Sequence, residues 1–526
     1  MVVLFALALR LPGLGRPLVG NFATKNVLYA MMARNFAQGE ASPWYPMLDC
    51  LTESGPALYM VDFPLSAYLT GCLWRVGGGS LDVWGRFMSA VFYSAAVGWL
   101  FLLVDAWHTR RSAVAAALAL ALAPIGIAYG QNFMEQSSLV LLTIATLDTW
   151  RRWLLTGRSR WLAASVVAAA LVVLTKIYMA VLLLPLLAAW RAQWRVAASP
   201  HSGRQEHAAR DHERVALHGA DLDTARNASP GALRRRSAAF GLAMLALAML
   251  PPAAWYTHAT RASAPQSALA ERMFYSTRQN AASYRPPDPL LASPRFYVGI
   301  ARDGFTVVLA PLAGVLALVG LGSLGARRHA AWIAAMLLLV AALPRKFDQL
   351  NYYYMALLPL GAVLAGLGYD TLAAFAARQR AWPRGWLPAV ALTLALAGSL
   401  RYALKPAFYT PTEDRSVVAA AAAARSLLAA DEPVVTMHGA TIDLLYYCAR
   451  RGWAVPPDAP DLAATLDRCR AAGARRLVVT SLAELDRLAD PHALDGLEVE
   501  VAGDDFRIYR LDSSRDHQPS LVRRSR

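Results

Sequence analysis

Apolar residues along this chain gather into runs separated by short basic loops. The runs at 84–104, 113–128, 162–174, 238–249 and 310–324 are almost free of charge. A bilayer core asks for about 20 apolar residues per helix. The pattern therefore predicts an all-α polytopic membrane protein. Threading the runs gives about 11 transmembrane helices, near 1–17, 84–104, 113–129, 135–150, 161–175, 177–190, 238–256, 305–325, 331–343, 353–370 and 386–402. The opening apolar run is too short to span alone, and two readings stand: Leu11–Val19 complete helix 1, or the true start lies upstream.

Lys/Arg excess marks cytoplasmic loops. Arg110/Arg111, Arg151/Arg152, Arg158/Arg160, Arg234/Arg235/Arg236, Arg327/Arg328 and Arg378/Arg380 fall in such loops. They orient the helices and predict a C-terminus outside the cytoplasm. Residues 1–410 then form the membrane domain. Within it, 18–83 is a first outer loop with interfacial helices, of which 64–74 is amphipathic and too short to span. Residues 195–236 are polar and aperiodic and predict a disordered cytoplasmic loop.

The pattern changes from residue 411. A helix at 417–430, buried strands at 433–437 and 476–480, helices at 444–451 and 462–472, and an edge strand at 506–511 predict a small C-terminal α/β domain over 411–512. The tail 513–526 reads as disordered.

Composition agrees. Of 526 residues 56% are hydrophobic and only 17% charged. The net charge of +16 would suggest nucleic acid in a soluble protein. Here the excess lies in the loops between apolar runs, so nucleic acid is excluded as a partner and the lipid bilayer takes its place. The four cysteines show no CxxC or metal spacing. A Cys448–Cys469 disulfide stays open for an extracytoplasmic domain, with ordinary small side chains as the plainer reading. No cleavable signal peptide is predicted.

The informative charges are those that break the positive-inside pattern or lie at membrane depth. Lys25, Asp49, Glu53, Asp62, Glu135, Lys176, Arg302, Asp303, Arg345, Lys346 and Asp348 all fall on the outer face. Acids and bases on one face suit transfer from an anionic donor, with cations on the leaving phosphate and a carboxylate on the attacking hydroxyl. Plainer readings compete. Arg302/Asp303 fit an interfacial pair equally well, and Asp49 and Glu53 read as solvated loop charges. Tyr352, Tyr353 and Tyr354 read by default as aromatic-belt anchors. Lys176 interrupts a near-continuous apolar stretch, and burial there demands a partner. Arg345 and Lys346 lie on the wrong side for topology, which favours function. His438 and Asp443 follow a strand and a turn, common places for ligand contacts, though such a histidine is more often structural.

Several motifs recur in a familiar order over 10–370. They are Arg10-Leu-Pro-Gly-Leu, Tyr29-Ala-Met-Met-Ala-Arg-Asn-Phe, Asp62-Phe-Pro-Leu-Ser-Ala-Tyr-Leu and Gly85-Arg86-Phe-Met-Ser. Then come Tyr129-Gly-Gln-Asn-Phe-Met-Glu135, Leu174-Thr-Lys176 and Asn351-Tyr-Tyr-Tyr with Pro359. In this the chain resembles the GT-C glycosyltransferases of the protein O-mannosyltransferase and aminoarabinose-transferase type. The resemblance implies a polytopic enzyme that takes a sugar from a polyprenyl-phosphate donor at the outer membrane face. One departure is plain. The acidic pair such enzymes carry in the first outer loop falls here on Lys25-Asn26.

Three readings of that departure stand. Asp62 acts as base, Glu135 acts or assists, or activity is lost. Lys25, Lys176, Arg345 and Lys346 are then the expected contacts to the donor phosphate, with Asn26, Asn351 and Tyr352 as further site candidates. The expected function is an inverting transfer of a hexose or pentose from a polyprenyl-phosphate-linked sugar to a lipid, glycan or protein acceptor at the cytoplasmic (inner) membrane. A lipid-linked-glycan transporter or flippase, or an inactive glycan-binding scaffold, are the competing classes. No DxD-type motif is present, so no metal ligand is assigned and a divalent cation remains open as a cofactor.

Overall fold

Most of the chain is helical, and the apolar runs break where proline, glycine or a charge interrupts them. The computed structural model describes residues 1–20, 22–52, 55–198, 240–262, 288–378, 386–408, 410–412, 414–439, 441–488 and 490–512. The predicted disorder at 195–236 falls, beyond residue 198, outside these residues, as do Glu53, Arg380 and the tail.

Helix α1 (Val2–Ala8) ends well short of residue 17. Pro12, Gly13 and Gly15 follow it, and the chain turns at Arg10. The Arg10 guanidinium is fully buried. It donates to the carbonyls of Ala6 (2.7 Å), Ala121 (3.1 Å) and Gly126 (2.9 Å). Helix-end carbonyls carry spare acceptor capacity and partial negative charge, which is why a buried cation is tolerated there, even though Gly126 O also accepts from the Gly130 N–H at 3.0 Å.

The first loop folds into α2 (Ala23–Gln38), β1 (Met47–Thr52), β2 (Gly55–Leu58) and α3 (Leu65–Gly77). Helix α4 (Leu81–Trp107) is long and apolar enough to span. The predicted third helix splits into α5 (Arg110–Leu122) and α6 (Pro124–Tyr129), because Pro124 cannot donate to the helix ladder. Helices α7 (Gln136–Thr156), α8 (Ser159–Thr175) and α9 (Leu183–Ala198) follow. Among the described residues four helices are long and apolar enough to cross a membrane: α4, Phe240–Ala262, Leu324–Ala342 and Leu358–Arg378. Pro294–Val308 and Ala310–Leu321, bent by 118°, make a fifth when taken as one span. Other apolar helices, such as Ser159–Thr175 and Val390–Ala403, are shorter.

The strands assemble into one sheet in the order β2-β1-β4-β3-β5-β7-β6, where β3 is Val434–Met437, β4 Gly452–Ala454, β5 Arg476–Thr480, β6 Glu498–Ala502 and β7 Phe506–Arg510. The predicted strands at 433–437 and 476–480 are its parallel centre. Both are apolar runs, as strands covered on two faces require. The strand at 506–511 is not an edge. It lies between β5 and β6, and polar β6 takes the edge instead. The first loop enters the same sheet, since β1 pairs with β4 at Cys50 and Gly452.

Side chains fasten these parts together. Asp82, at the start of α4, accepts hydrogen bonds from the Tyr446 and Tyr447 hydroxyls, both at 2.6 Å. Asp49, expected among solvated loop charges, is buried. It accepts from Arg34 Nη1 at 3.0 Å and Asn35 Nδ2 at 3.1 Å, because strand β1 carries it against α2. Arg34 also donates to the Tyr446 carbonyl at 3.1 Å. Arg34→Met strands the Asp49 carboxylate, and the expected loss is about 3 kcal/mol, the cost of breaking a buried pair from one side. Thermal unfolding in detergent reads it, and an unchanged midpoint would remove this contact from the account.

Candidate active site

Four charged side chains from four separate segments meet where the first loop covers the helices. Lys25 stands on the first turn of α2, just after Phe22, whose left-handed φ of 57° turns the chain into the helix. Asp62 lies in the turn between β2 and α3. Glu135 immediately precedes α7. Lys176 is the extended residue at which α8 ends.

Neighbouring backbone contacts bring them together. The Phe63 N–H donates to the Leu174 carbonyl at 3.1 Å, which seats the Asp62 turn on the end of α8. Arg86 donates to the carbonyls of Gln131 (2.9 Å), Arg16 (3.1 Å) and Pro17 (2.9 Å), holding the 131–135 turn against the first loop. Gly85 beside it has no choice of residue, since a Cβ there would sit 2.1 Å from the Phe133 ring. The Gly85-Arg86 motif thus acts at a distance, by placing Glu135.

Lys176 Nζ lies 2.5 Å from Asp62 Oδ2 and also contacts Glu135 Oε1. Lys25 Nζ lies 3.4 Å from Asp62 Oδ2 and 3.7 Å from Glu135 Oε1. It donates to the Tyr59 hydroxyl at 2.8 Å, and the Tyr29 hydroxyl donates to Asp62 Oδ2 at 3.4 Å. The Glu135 and Lys176 side chains are only 2% and 5% exposed. A lone charge at that depth is untenable, whereas two acids interleaved with two bases neutralise one another. Burial pushes the Asp62 carboxyl above its usual range, although Lys176 and Lys25 pull against it.

Lys346 is buried at the border of this cluster. Burial lowers its ammonium pKa, and the positive charges of Lys176 and Lys25 lower it further. Tyr352 packs edge-on against Phe22 at 5.3 Å and Tyr129 at 6.1 Å, and the Tyr129 hydroxyl donates to Asn351 Oδ1. Tyr352, Tyr353 and Tyr354 are buried in the core rather than arrayed as belt anchors, because the short 3₁₀ turn at Asn351–Ala356 points them inward.

Two expected residues stand apart. Arg345 is 59% exposed and pairs with Asp288. Neighbours on a short helix (Pro344–Gln349) face different ways, so only Lys346 reaches the cluster. Asn26 is buried but donates to the Phe22 carbonyl at 2.9 Å, shaping the start of α2. Arg302 and Asp303 form an exposed pair at 3.0 Å, as an interfacial pair would. The four cysteines are free. The phenols of Tyr29 and Tyr59 join the cluster beyond the residues expected from the sequence. Tyr29 opens a quoted motif and could have been found, whereas nothing in the pattern marks Tyr59.

A family model described as dolichyl-phosphate-mannose-protein mannosyltransferase matches residues 62–202, a stretch that contains Asp62, Glu135 and Lys176. ArnT from Cupriavidus metallidurans bound to undecaprenyl phosphate aligns with 98% of this chain and 98% of its own, at 16% identity and a TM-score of 0.56. The chain shares its fold with ArnT. The apo form of the same ArnT gives a TM-score of 0.60 at 16% identity, covering 97% of this chain and 98% of that one. The fold is also similar to that of the apo Archaeoglobus fulgidus oligosaccharyltransferase, at a TM-score of 0.55 and 13% identity over 99% of this chain and 74% of that one. No curated protein matches the sequence.

Proposed function

We propose that this protein is an inverting glycosyltransferase that moves a sugar from a polyprenyl-phosphate donor to an acceptor hydroxyl at the outer face of the cytoplasmic membrane. The observation that carries the reading is the convergence of Lys25, Asp62, Glu135 and Lys176 in one buried cluster. Related folds support the donor class, because one ArnT structure holds undecaprenyl phosphate and one archaeal oligosaccharyltransferase structure holds dolichol phosphate. On this reading about 11 helices cross or enter the membrane, and residues 411–512 lie outside the cytoplasm.

In the proposed step the acceptor oxygen attacks the anomeric carbon. Its proton passes to Asp62 as the new C–O bond forms, and the bond to the phosphate oxygen breaks from the opposite side. Lys25, Lys176 and Lys346 face the departing phosphate. Three ammonium groups against two carboxylates leave one formal positive charge, which matches the single charge of a phosphodiester donor. Glu135 holds Lys176 in place. The acids that the first loop lacks at Lys25-Asn26 are supplied from the turns at Asp62 and Glu135 instead, which favours an active enzyme over an inactive scaffold.

Membranes assayed with labelled polyprenyl-phosphate sugar test this. Asp62→Asn is expected to lower kcat by about 10²–10⁴-fold, the usual weight of a positioned base. Full transfer by both Asp62→Asn and Glu135→Gln would sink the site.

The acid limb of the pH profile gives a second check. A raised carboxyl loses its basic form as pH falls through that raised value, so kcat/KM drops at a pH above the ordinary aspartate value of about 3.9. An acid limb at or below that value would remove Asp62 from the role.

A further inference from the structure

The parallel centre of the sheet carries a second polar cluster, remote in sequence from the four residues above. From β3 the chain passes to β4 on one side and then crosses to β5 on the other. The carboxyl ends of β3 and β5 therefore flank a switch point, the place where open α/β sheets bind ligands. His438 follows β3 there, and Thr480 is the last residue of β5. Asp443 comes from the segment after β3, and Asp414 from the linker that leaves the membrane helix Trp386–Phe408.

His438 Nε2 lies 3.0 Å from Asp414 Oδ1 and 3.9 Å from Asp443 Oδ1. One donor atom from each of the three residues lies within 4.8 Å of the others. Two donors on one tetrahedral zinc ion stand about 3.4 Å apart, so the group needs little movement to close on an ion. Thr480 Oγ1 lies 2.8 Å from His438 Nδ1 and orients the ring, as the outer partners of metal-bound histidines do. Asp443 Oδ1 accepts from the Thr441 hydroxyl at 2.5 Å and the Leu444 N–H at 3.0 Å. Its Oδ2 is buried and receives no hydrogen bond among the described residues.

Asp443 thus keeps an unused acceptor on the same carboxylate whose Oδ1 lies 3.9 Å from His438 Nε2. A buried carboxylate oxygen with nothing to accept is costly. The charged groups that bear on Asp443 are His438 and a second carboxylate, Asp414. Asp414 is 12% exposed and stands at the rim, where an ion would enter.

We infer that Asp414, His438 and Asp443 form a divalent-cation site, with zinc as the best match to one imidazole and two carboxylates. The ion fastens the linker at Asp414 to the core of the sheet. It is a site of attachment, separate from the sugar-transfer cluster.

The test uses the full chain in detergent, freed of any purification tag and stripped with chelator. Zinc is added and bound metal counted by mass spectrometry, with cobalt(II) absorption as the coordination readout. The expected result is one ion per chain, a tetrahedral cobalt spectrum, and an unfolding midpoint raised by zinc. Asp414→Asn, at the rim, is expected to keep the fold and weaken binding at least about tenfold. Asp443→Asn is expected to abolish the cobalt spectrum. Wild-type protein that binds no zinc, or binding left unchanged in Asp414→Asn, would overturn the inference. Ions held instead by the exposed His492/Asp495 pair would survive both substitutions and so would also overturn it.

Discussion

Replacing Lys176 by methionine is expected to reduce sugar transfer below detection and to weaken the fold by about 3–5 kcal/mol, the cost of breaking a buried ion pair from one side. Lys176 touches both carboxylates at once, and no other residue of the cluster sits as close to either. Removing it leaves Asp62 and Glu135 facing one another with only Lys25 between them, at 3.4 and 3.7 Å. Two effects are then mixed, so the single variant cannot separate structure from chemistry. The double variant Lys176→Met with Glu135→Gln separates them. It removes one charge of each sign, and buried pairs replaced by neutral groups of similar volume are often harmless to stability. Recovery of the unfolding midpoint without recovery of transfer is the expected outcome. A double variant that regains transfer would place Lys176 in the scaffold rather than at the phosphate.

Gly368→Ala is expected to be the most damaging small change in the membrane helices. A Cβ at Gly368 would lie 1.8 Å from the Leu316 carbonyl oxygen, and one at Gly320 equally close to that of Leu364. Helices Ala310–Leu321 and Leu358–Arg378 thus touch backbone to backbone, which small residues permit within a membrane. Alanine gains up to about 1 kcal/mol of helix propensity over glycine. Overpacking costs typically about 1–3 kcal/mol, and here the obstacle is a backbone atom that no rotamer change can move. The clash wins. Fluorescence-detected gel filtration should show loss of the monodisperse peak. Gly299→Ala supplies the control, since its Cβ meets nothing within 4 Å, and it should be neutral or mildly stabilising. Equal behaviour of the two variants would refute the close contact.

The apolar runs were legible because spans such as α4 are long and uninterrupted. The breaks at Pro124 and Lys176 were legible as residues but not as geometry. An apolar run on either side reads the same whether the helix continues or bends. Strands β3 and β5 showed as short runs of valine and leucine, whereas β1 hid in a loop that carries Asp49 and Cys50. Its partner lies far along the chain, and pairing at that range leaves no local signature. The site divided in the same way. Asp62, Glu135, Lys25 and Lys176 stood out because charge is rare in this chain. Arg345 and Lys346 looked alike in sequence, and only the turn of a short helix sends one to the cluster and the other to Asp288.

The pairing of Cys50 with Gly452 also sets a schedule. About 400 residues separate the two, so at about 5–20 residues per second the ribosome delivers β4 roughly 20–80 s after β1. Through that interval the β1–β2 hairpin carries an open edge beside the Lys25 helix, a surface prone to wrong partners. The sheet is therefore completed late, and a chain cut short anywhere before β4 reaches the membrane with its first loop still waiting.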